Sequence, residues 1–211
     1  MNINCFTRPN KPLTCKLPNF NIKTPLVLIE TPKLLTVDRD TECHTTPDHI
    51  ADLMVSYLDY EAPTVNNAGS SILEPHAGTG QLVNALLKAD IMSGCINTIE
   101  KHYKLVECLT ERFKDNFVNI NHGDFLTDYS IFEQSKHDEY SGYDRIICNP
   151  PFKKIIAHID QVHKCLKVGG SAVCLVPINY KKIEHEVLEI LPSDTFSYCK
   201  VNTKIIRIIK S

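Results

Sequence analysis

The chain lacks any long apolar run. Nothing in its 211 residues approaches the roughly 18 consecutive apolar residues that span a bilayer, so no membrane association is expected. Its first residues, Met1-Asn2-Ile3-Asn4-Cys5, hold no basic segment leading into an apolar core, so they do not read as a secretory leader. The 9 cysteines form no C-x-x-C pair. An odd count without regular spacing argues against a disulfide scaffold and offers no zinc site, so no metal is expected. Cys95, Cys148 and Cys174 lie inside apolar runs, where cysteine behaves as a small buried hydrophobe. These absences point to a reducing, cytoplasmic setting. A strong basic excess is missing too: the net charge is −2, whereas dedicated duplex binders draw much of their affinity from neutralising phosphates. There is no internal repeat and no low-complexity tract.

What is present is an ordinary globular composition, 43% hydrophobic and 23% charged, of a length that suits one domain plus a short arm. Residues 1–40 read as that arm and 41–211 as the domain. Up to residue 36 the arm carries Arg8, Lys11, Lys16, Lys23 and Lys33 against Glu30 alone, and it holds Pro9, Pro12, Pro18, Pro25 and Pro32. So many prolines predict an extended basic segment, either a poorly ordered tail or a strap on the domain, or an arm that touches phosphate.

From about residue 70, short apolar strands alternate with amphipathic helices. Strands are predicted over 71–74, 95–100, 117–120, 143–148 and 171–176. Helices are predicted over 81–90, 104–114 and 155–166, where Gly169-Gly170 supplies a stop signal, and over 183–191. An earlier helix over 48–57 opens after Thr46-Pro47, a common cap and first-turn pair. The stretch 61–70, rich in Pro, Asn, Gly and Ser, links it to the first strand. Strand and helix alternating in this way predict an α/β fold with a doubly wound, mostly parallel sheet. Two last β-like runs, 195–201 and 204–209, joined by Asn202-Thr203, predict an antiparallel C-terminal hairpin at one edge.

Four constellations carry chemistry. The first is Glu74-Pro75-His76-Ala77-Gly78-Thr79-Gly80, a strand running through a glycine turn into a helix. Such a turn lets backbone approach a ligand, and the helix behind it presents free N–H groups. A dinucleotide fingerprint would need a third glycine where Val83 stands. The second is Glu100, closing the second strand 20 residues after Gly80, where an acid can accept both hydroxyls of a ribose. The third is Gly123-Asp124-Phe125: the acid can accept from an adenine amino group and the phenyl ring can flank the base. The fourth is Asn149-Pro150-Pro151-Phe152. A ring amine is a weak nucleophile because its lone pair is delocalised. The Asn149 side-chain oxygen and the Pro150 carbonyl can accept its two hydrogens and draw the nitrogen toward tetrahedral geometry, while Phe152 stacks on the flat base.

At these residues the chain resembles class I methyltransferases carrying the N-P-P-[FY] motif, above all those that methylate the N6 amine of adenine in DNA. The resemblance covers roughly residues 40–180. It implies a seven-stranded Rossmann-like methyltransferase sheet and S-adenosylmethionine as cofactor. The pocket it implies is made of Glu74, Pro75, Ala77, Gly78, Gly80, Glu100 with Lys101 beside it, Asp124, Phe125 and Asn149. The segment Thr45-Thr46-Pro47 is similar to a Thr-Pro element that contacts the methionine part of the cofactor in that family. Asn149, Pro150, Pro151 and Phe152 would be the catalytic run. His76 is given no role. N-P-P-F is shared with methyltransferases of RNA adenine, RNA guanine and protein glutamine, so DNA is favoured and RNA or protein are the alternatives. In DNA the target base would be flipped out of the duplex, with Lys153-Lys154 and Lys181-Lys182 available to phosphates. No sizeable region follows the sheet to recognise a target sequence, which leaves room for a protein partner, or for a catalytically silent cofactor-binding subunit of a complex.

Overall fold

The fold is that of a computed structural model, which describes residues 45–64, 69–128, 142–196 and 201–211, together with the backbone of three short strands nearer the N-terminus. Those three, β1 (Cys5–Phe6), β2 (Leu13–Lys16) and β3 (Leu34–Val37), pair antiparallel in the order β1-β2-β3. The rest of the arm read over residues 1–40 lies outside the described residues. No described helix is long and apolar enough to cross a membrane.

The main sheet has seven strands in the order β6-β5-β4-β7-β8-β10-β9. They are β4 (Ile72–Glu74), β5 (Ile96–Glu100), β6 (Asn119–His122), β7 (Tyr143–Cys148), β8 (Leu166–Pro177), β9 (Glu186–Ile190) and β10 (Thr203–Ile209). The strands from β6 to β8 run parallel, while β10 pairs antiparallel with both β8 and β9. The sheet is thus doubly wound and mostly parallel, with an antiparallel C-terminal hairpin.

Strand faces alternate, and each face is covered by helices. Ile72, Ile147, Val173, Leu175 and Ile205 pack beneath α1 (Asp48–Ser56), α2 (Gln81–Lys88) and α3 (Tyr103–Arg112), which contribute Met54, Leu86 and Leu109 among others. On the opposite face Ile146, Cys148, Ala172, Cys174, Ile206 and Ile208 pack against Ile159 and Val162 of α4 (Ile155–Cys165). Period-2 burial on two covered faces makes the strands read as near-continuous apolar runs. At the N-terminal ends of β4 and β7, Asp144 accepts the Ser71 N–H and hydroxyl at 2.8 and 2.7 Å and pairs with Lys167 at 3.0 Å.

Several expectations need correction. The segment read as a helix over 183–191 contains the strand β9 instead. Ile183, Val187 and Leu191 have helical spacing, but the chain here is an edge strand whose backbone pairs with β10, leaving Val187 and Ile190 exposed. The hairpin partner of β10 is therefore β9 and not the run over 195–201, of which residues 197–200 lie outside the described residues. The third parallel strand starts at Asn119 rather than at Phe117, whose side chain is 86% exposed. Gly169-Gly170 does not stop a helix: α4 ends at Cys165, and both glycines belong to β8, where they pair with Lys210. The residue capping α1 is Pro47, and no side chain caps the helix.

Candidate active site

The strand order reverses between β4 and β7. The chain leaves β4 toward β5 and β6, then returns to lay β7 on the other flank of β4. At such a switch point the two connections diverge and leave a crevice at the carboxyl ends of the strands. Glu74 ends β4 and Asn149 follows β7, so the glycine turn and the N-P-P-F run face one another across that crevice. A cavity of about 320 Å³ occupies it.

The turn from β4 into α2 is pinned from β5. Gly78 donates its N–H to Glu100 Oε2 at 2.8 Å, and His102 donates its own to Oε1 at 2.7 Å. Ala77 donates to the Ile99 carbonyl at 3.0 Å. The carboxylate that ends β5 thus holds the two loops of the cavity floor together. Burial pushes the Glu100 carboxyl above its usual range, while these N–H groups work in the opposite direction. Glu74 is fully buried. Its Oε1 accepts the His76 N–H at 3.0 Å, and its Oε2 has no hydrogen-bond partner among the described residues. Burial raises this carboxyl well above the ordinary value and Glu100 adds to the push.

Gly78 and Gly80 both adopt positive φ, +53° and +82°, but they serve different ends. Gly78 lines the cavity. Gly80 does not; a Cβ there would lie 2.7 Å from Phe113 Cε2 and 2.9 Å from Leu109 Cδ2. Gly80 is glycine so that α2 can sit against α3. Just beyond it, Gln81 is buried at the cavity wall. Its Oε1 accepts from the Thr79 hydroxyl at 2.6 Å and its Nε2 has no partner among the described residues.

Beyond β6, Asp124 pairs with Lys101 at 2.9 Å and accepts the Leu126 N–H at 3.0 Å. Burial opposes the charge, but Lys101 and the backbone N–H prevail and hold the carboxyl below its usual range. Phe125 is buried against a pair of histidines. His76 Nε2 and His158 Nδ1 lie 2.9 Å apart. The Phe125 ring meets His76 edge-on, with centroids 5.3 Å apart, and lies nearly parallel to His158 at 6.5 Å. Burial, and then His158, lowers the His76 pKa well below its ordinary value. Burial also lowers His158, to about 4; Asp124 opposes this while Lys154 and Lys101 add to it. Both rings are neutral at pH 7, so one donates to the other.

On the far wall, Asn149 Nδ2 donates to the Thr46 hydroxyl at 3.0 Å. Pro151 follows, and Phe152 opens a short 3-10 turn, Phe152–Lys154, leading into α4.

Of the residues expected at the site, Thr45, Thr46, Pro75, Ala77, Gly78 and Glu100 line the cavity, as do Lys101, Asp124, Phe125, Asn149 and Pro151. Pro47, Glu74, Gly80, Pro150 and Phe152 are not among the lining residues. Glu74 supports the turn from below and Pro47 opens α1. The sequence reading missed Gln81, His102 and His158 in the wall, and found no purpose for His76. Gln81 was within reach of it, as the first residue of a helix behind a glycine turn. His158 was not, since only the packing of α4 brings it to a residue 82 positions away.

No model of a known protein family matches the chain, and none of the curated proteins does. Solved structures do. The chain is similar to TrmN from Thermus thermophilus, with a TM-score of 0.56 and 14% identity over 84% of this chain and 55% of that one. It is similar to the type I restriction-modification system methyltransferase subunit from Streptococcus thermophilus, with a TM-score of 0.60 and 14% identity over 80% of this chain and 45% of that one. A SAM-dependent O-methyltransferase from Thermotoga maritima gives a TM-score of 0.51 and 12% identity over 80% of this chain and 68% of that one. This chain therefore spans about half the length of the first two. At this level of identity the likeness concerns architecture, and by architecture the chain has the Rossmann-like fold of these methyltransferases.

Proposed function

We propose that the chain is an S-adenosylmethionine-dependent methyltransferase acting on the exocyclic N6 amine of adenine in DNA. The observation that carries this reading is one cavity, at the switch between β4 and β7, with the Glu100-pinned glycine turn on one wall and Asn149 and Pro151 on the other. The buried Gln81 Nε2, without a hydrogen-bond partner among the described residues, suits the same cofactor: an unsatisfied polar atom at a cavity wall is costly unless a ligand engages it. In this reading Gln81 and the Gly78 turn hold the amino-acid part of the cofactor, Glu100 its ribose, and Asp124 with Phe125 its adenine. Thr45 borders the amino-acid part.

Bound there, S-adenosylmethionine supplies an electrophilic methyl group. The chain's own contribution is to position the target. Asn149 Oδ1 and the Pro150 carbonyl accept the two amine hydrogens, and Phe152 stacks on the base. Transfer would form the N–C bond as the methyl–sulfur bond breaks and the sulfonium becomes a neutral thioether, and the nitrogen would give up one proton to water. Lys153 and Lys154 line the same cavity, where cations can meet the phosphates flanking a flipped nucleotide. The similarity to a restriction-modification methyltransferase subunit favours DNA, and it also favours a partner chain that supplies target recognition.

The test is methyl transfer from labelled S-adenosylmethionine to duplex DNA, single-stranded DNA, structured RNA and protein extract, offered in equal amounts. Label in duplex DNA, recovered as N6-methyladenine, is the expected result. Label only in RNA or only in protein overturns the choice of substrate. No label anywhere, with cofactor binding intact, makes the chain a silent subunit. Asn149→Ala should lower transfer by about 100-fold or more while leaving cofactor affinity within about threefold, because its side chain acts on the target nitrogen. A large loss of cofactor affinity in that variant contradicts the role given to Asn149.

A further inference from the structure

We infer that Thr46 is a positioning residue: its hydroxyl, accepting from the Asn149 carboxamide nitrogen, holds that group with its oxygen toward the target nitrogen. The inference rests on the role proposed for Asn149. A carboxamide has a donor end and an acceptor end that a half-turn about its last torsion exchanges. Only the acceptor end can draw on an amine hydrogen; the donor end would set N–H against N–H. Asn149 Nδ2 lies 3.0 Å from Thr46 Oγ1. With Nδ2 held there, Oδ1 is directed along the other branch of the planar group.

The local structure around Thr46 supports this use of its hydroxyl. Thr46 stands one residue before Pro47, the N-cap of α1, outside the position from which a side chain caps a helix. Here the first turn of α1 has no side-chain cap, and the N–H groups of Ile50 and Ala51 go to the Pro47 carbonyl. Thr46 sits at the cavity wall, 5% exposed, with its hydroxyl 103 residues away in sequence from the amide it meets. The hydroxyl meets the Asn149 amide, just past β7, rather than the helix. Thr46 thereby ties the segment before α1 to the catalytic run. This differs from the sequence reading, which put Thr46 against the cofactor.

The two roles separate in a comparison of Thr46→Val, which keeps the shape and removes the hydroxyl, with Thr46→Ser, which keeps the hydroxyl. Both are made in the full chain and assayed on the acceptor that the wild type methylates. Thr46→Val should lower kcat about 10- to 100-fold with the Kd for S-adenosylmethionine changed less than about threefold, and Thr46→Ser should return kcat to within about threefold of wild type. Adding Thr46→Val to Asn149→Ala should cost nothing further, since the residue it positions is gone. A variant that loses cofactor affinity and keeps kcat overturns the inference in favour of cofactor contact. A serine variant as slow as valine, but equally well folded by near-UV circular dichroism, overturns it in favour of a packing role. The side-chain NH2 resonances of Asn149 in 15N-labelled protein give a readout independent of turnover. They should shift in Thr46→Val and stay in place in Thr46→Ser; if valine leaves them unmoved, Thr46 does not hold the amide. If the wild type methylates nothing, it is the proposed function that fails, while these resonances still report on the bond.

Discussion

Replacing Gly80 by alanine should destabilise the fold by about 2–4 kcal/mol, and the cost has two separable parts. The residue has φ +82°, and an alanine held in the left-handed region costs about 1–2 kcal/mol. Its Cβ would also stand 2.7 Å from Phe113 Cε2 and 2.9 Å from Leu109 Cδ2. Both neighbours are buried, and overpacking of that kind costs about 1–3 kcal/mol. Urea unfolding reads the sum. With a slope of roughly 2 kcal/mol per molar, the midpoint should fall by about 1–2 M at unchanged slope. The parts come apart in a Phe113→Leu background, where the ring atoms nearest the new methyl are gone and Leu109 Cδ2 remains; there Gly80→Ala should cost less than in the wild type but still more than the backbone share of about 1–2 kcal/mol. Under conditions where the variant remains folded, cofactor affinity should stay close to wild type, because Gly80 is not among the residues lining the cavity. A cost below about 0.5 kcal/mol, or the same cost in both backgrounds, refutes the steric account. A loss of affinity without a loss of stability returns Gly80 to the ligand contact that its motif suggests.

Glu100→Ala should be costly twice over. It strands the N–H groups of Gly78 and His102, worth about 2–4 kcal/mol in a melt, and it should weaken cofactor binding about tenfold or more by calorimetry; unchanged values in both would remove Glu100 from the site. The histidine pair should make stability fall with acid. The ordinary pKa is 6.5, and in the fold His76 is pushed well below it and His158 to about 4. Above pH 6.5 both states are neutral and the pair contributes no slope. Below it the unfolded chain takes up protons that the fold refuses, so stability drops from pH 6.5 toward 4. Glu74 and Glu100, raised by burial, tilt the profile the other way, so the diagnostic is a comparison: His158→Gln should flatten the decline relative to wild type. Parallel profiles would mean that His158 does not titrate as its surroundings require.

How much of this was legible in the sequence differed by element. β4, β5 and β7 declare themselves because each is an apolar run ending in a chemically unusual turn, and β8 by its buried apolar run alone. β9 does not, since Ile183, Val187 and Leu191 satisfy a helical period and the deciding interaction is backbone pairing with β10, a partner that local pattern cannot name. The motif residues mark the cavity because the switch point gathers strand ends whatever the details of packing. Their division of labour was hidden. Gly78 and Gly80 look equivalent as letters, yet one faces the cavity and the other a phenyl ring. His76 acquires meaning only beside His158, and the Thr46 hydroxyl, which the sequence offers as a helix cap, reaches across to Asn149.

The place of β10 between β8 and β9 also bears on the order in which the sheet assembles. β9 leaves the ribosome first, but the strand it pairs with follows it, so β9 must wait. Until β10 inserts, β8 presents a long row of open backbone groups, and the berths of the buried Ile205, Ile206 and Ile208 stay exposed to water. Late, non-local closure of this kind slows folding, and an open edge is a template for a strand from another chain. The antiparallel hairpin that completes the sheet is therefore also a place where the chain is open to mispairing during synthesis.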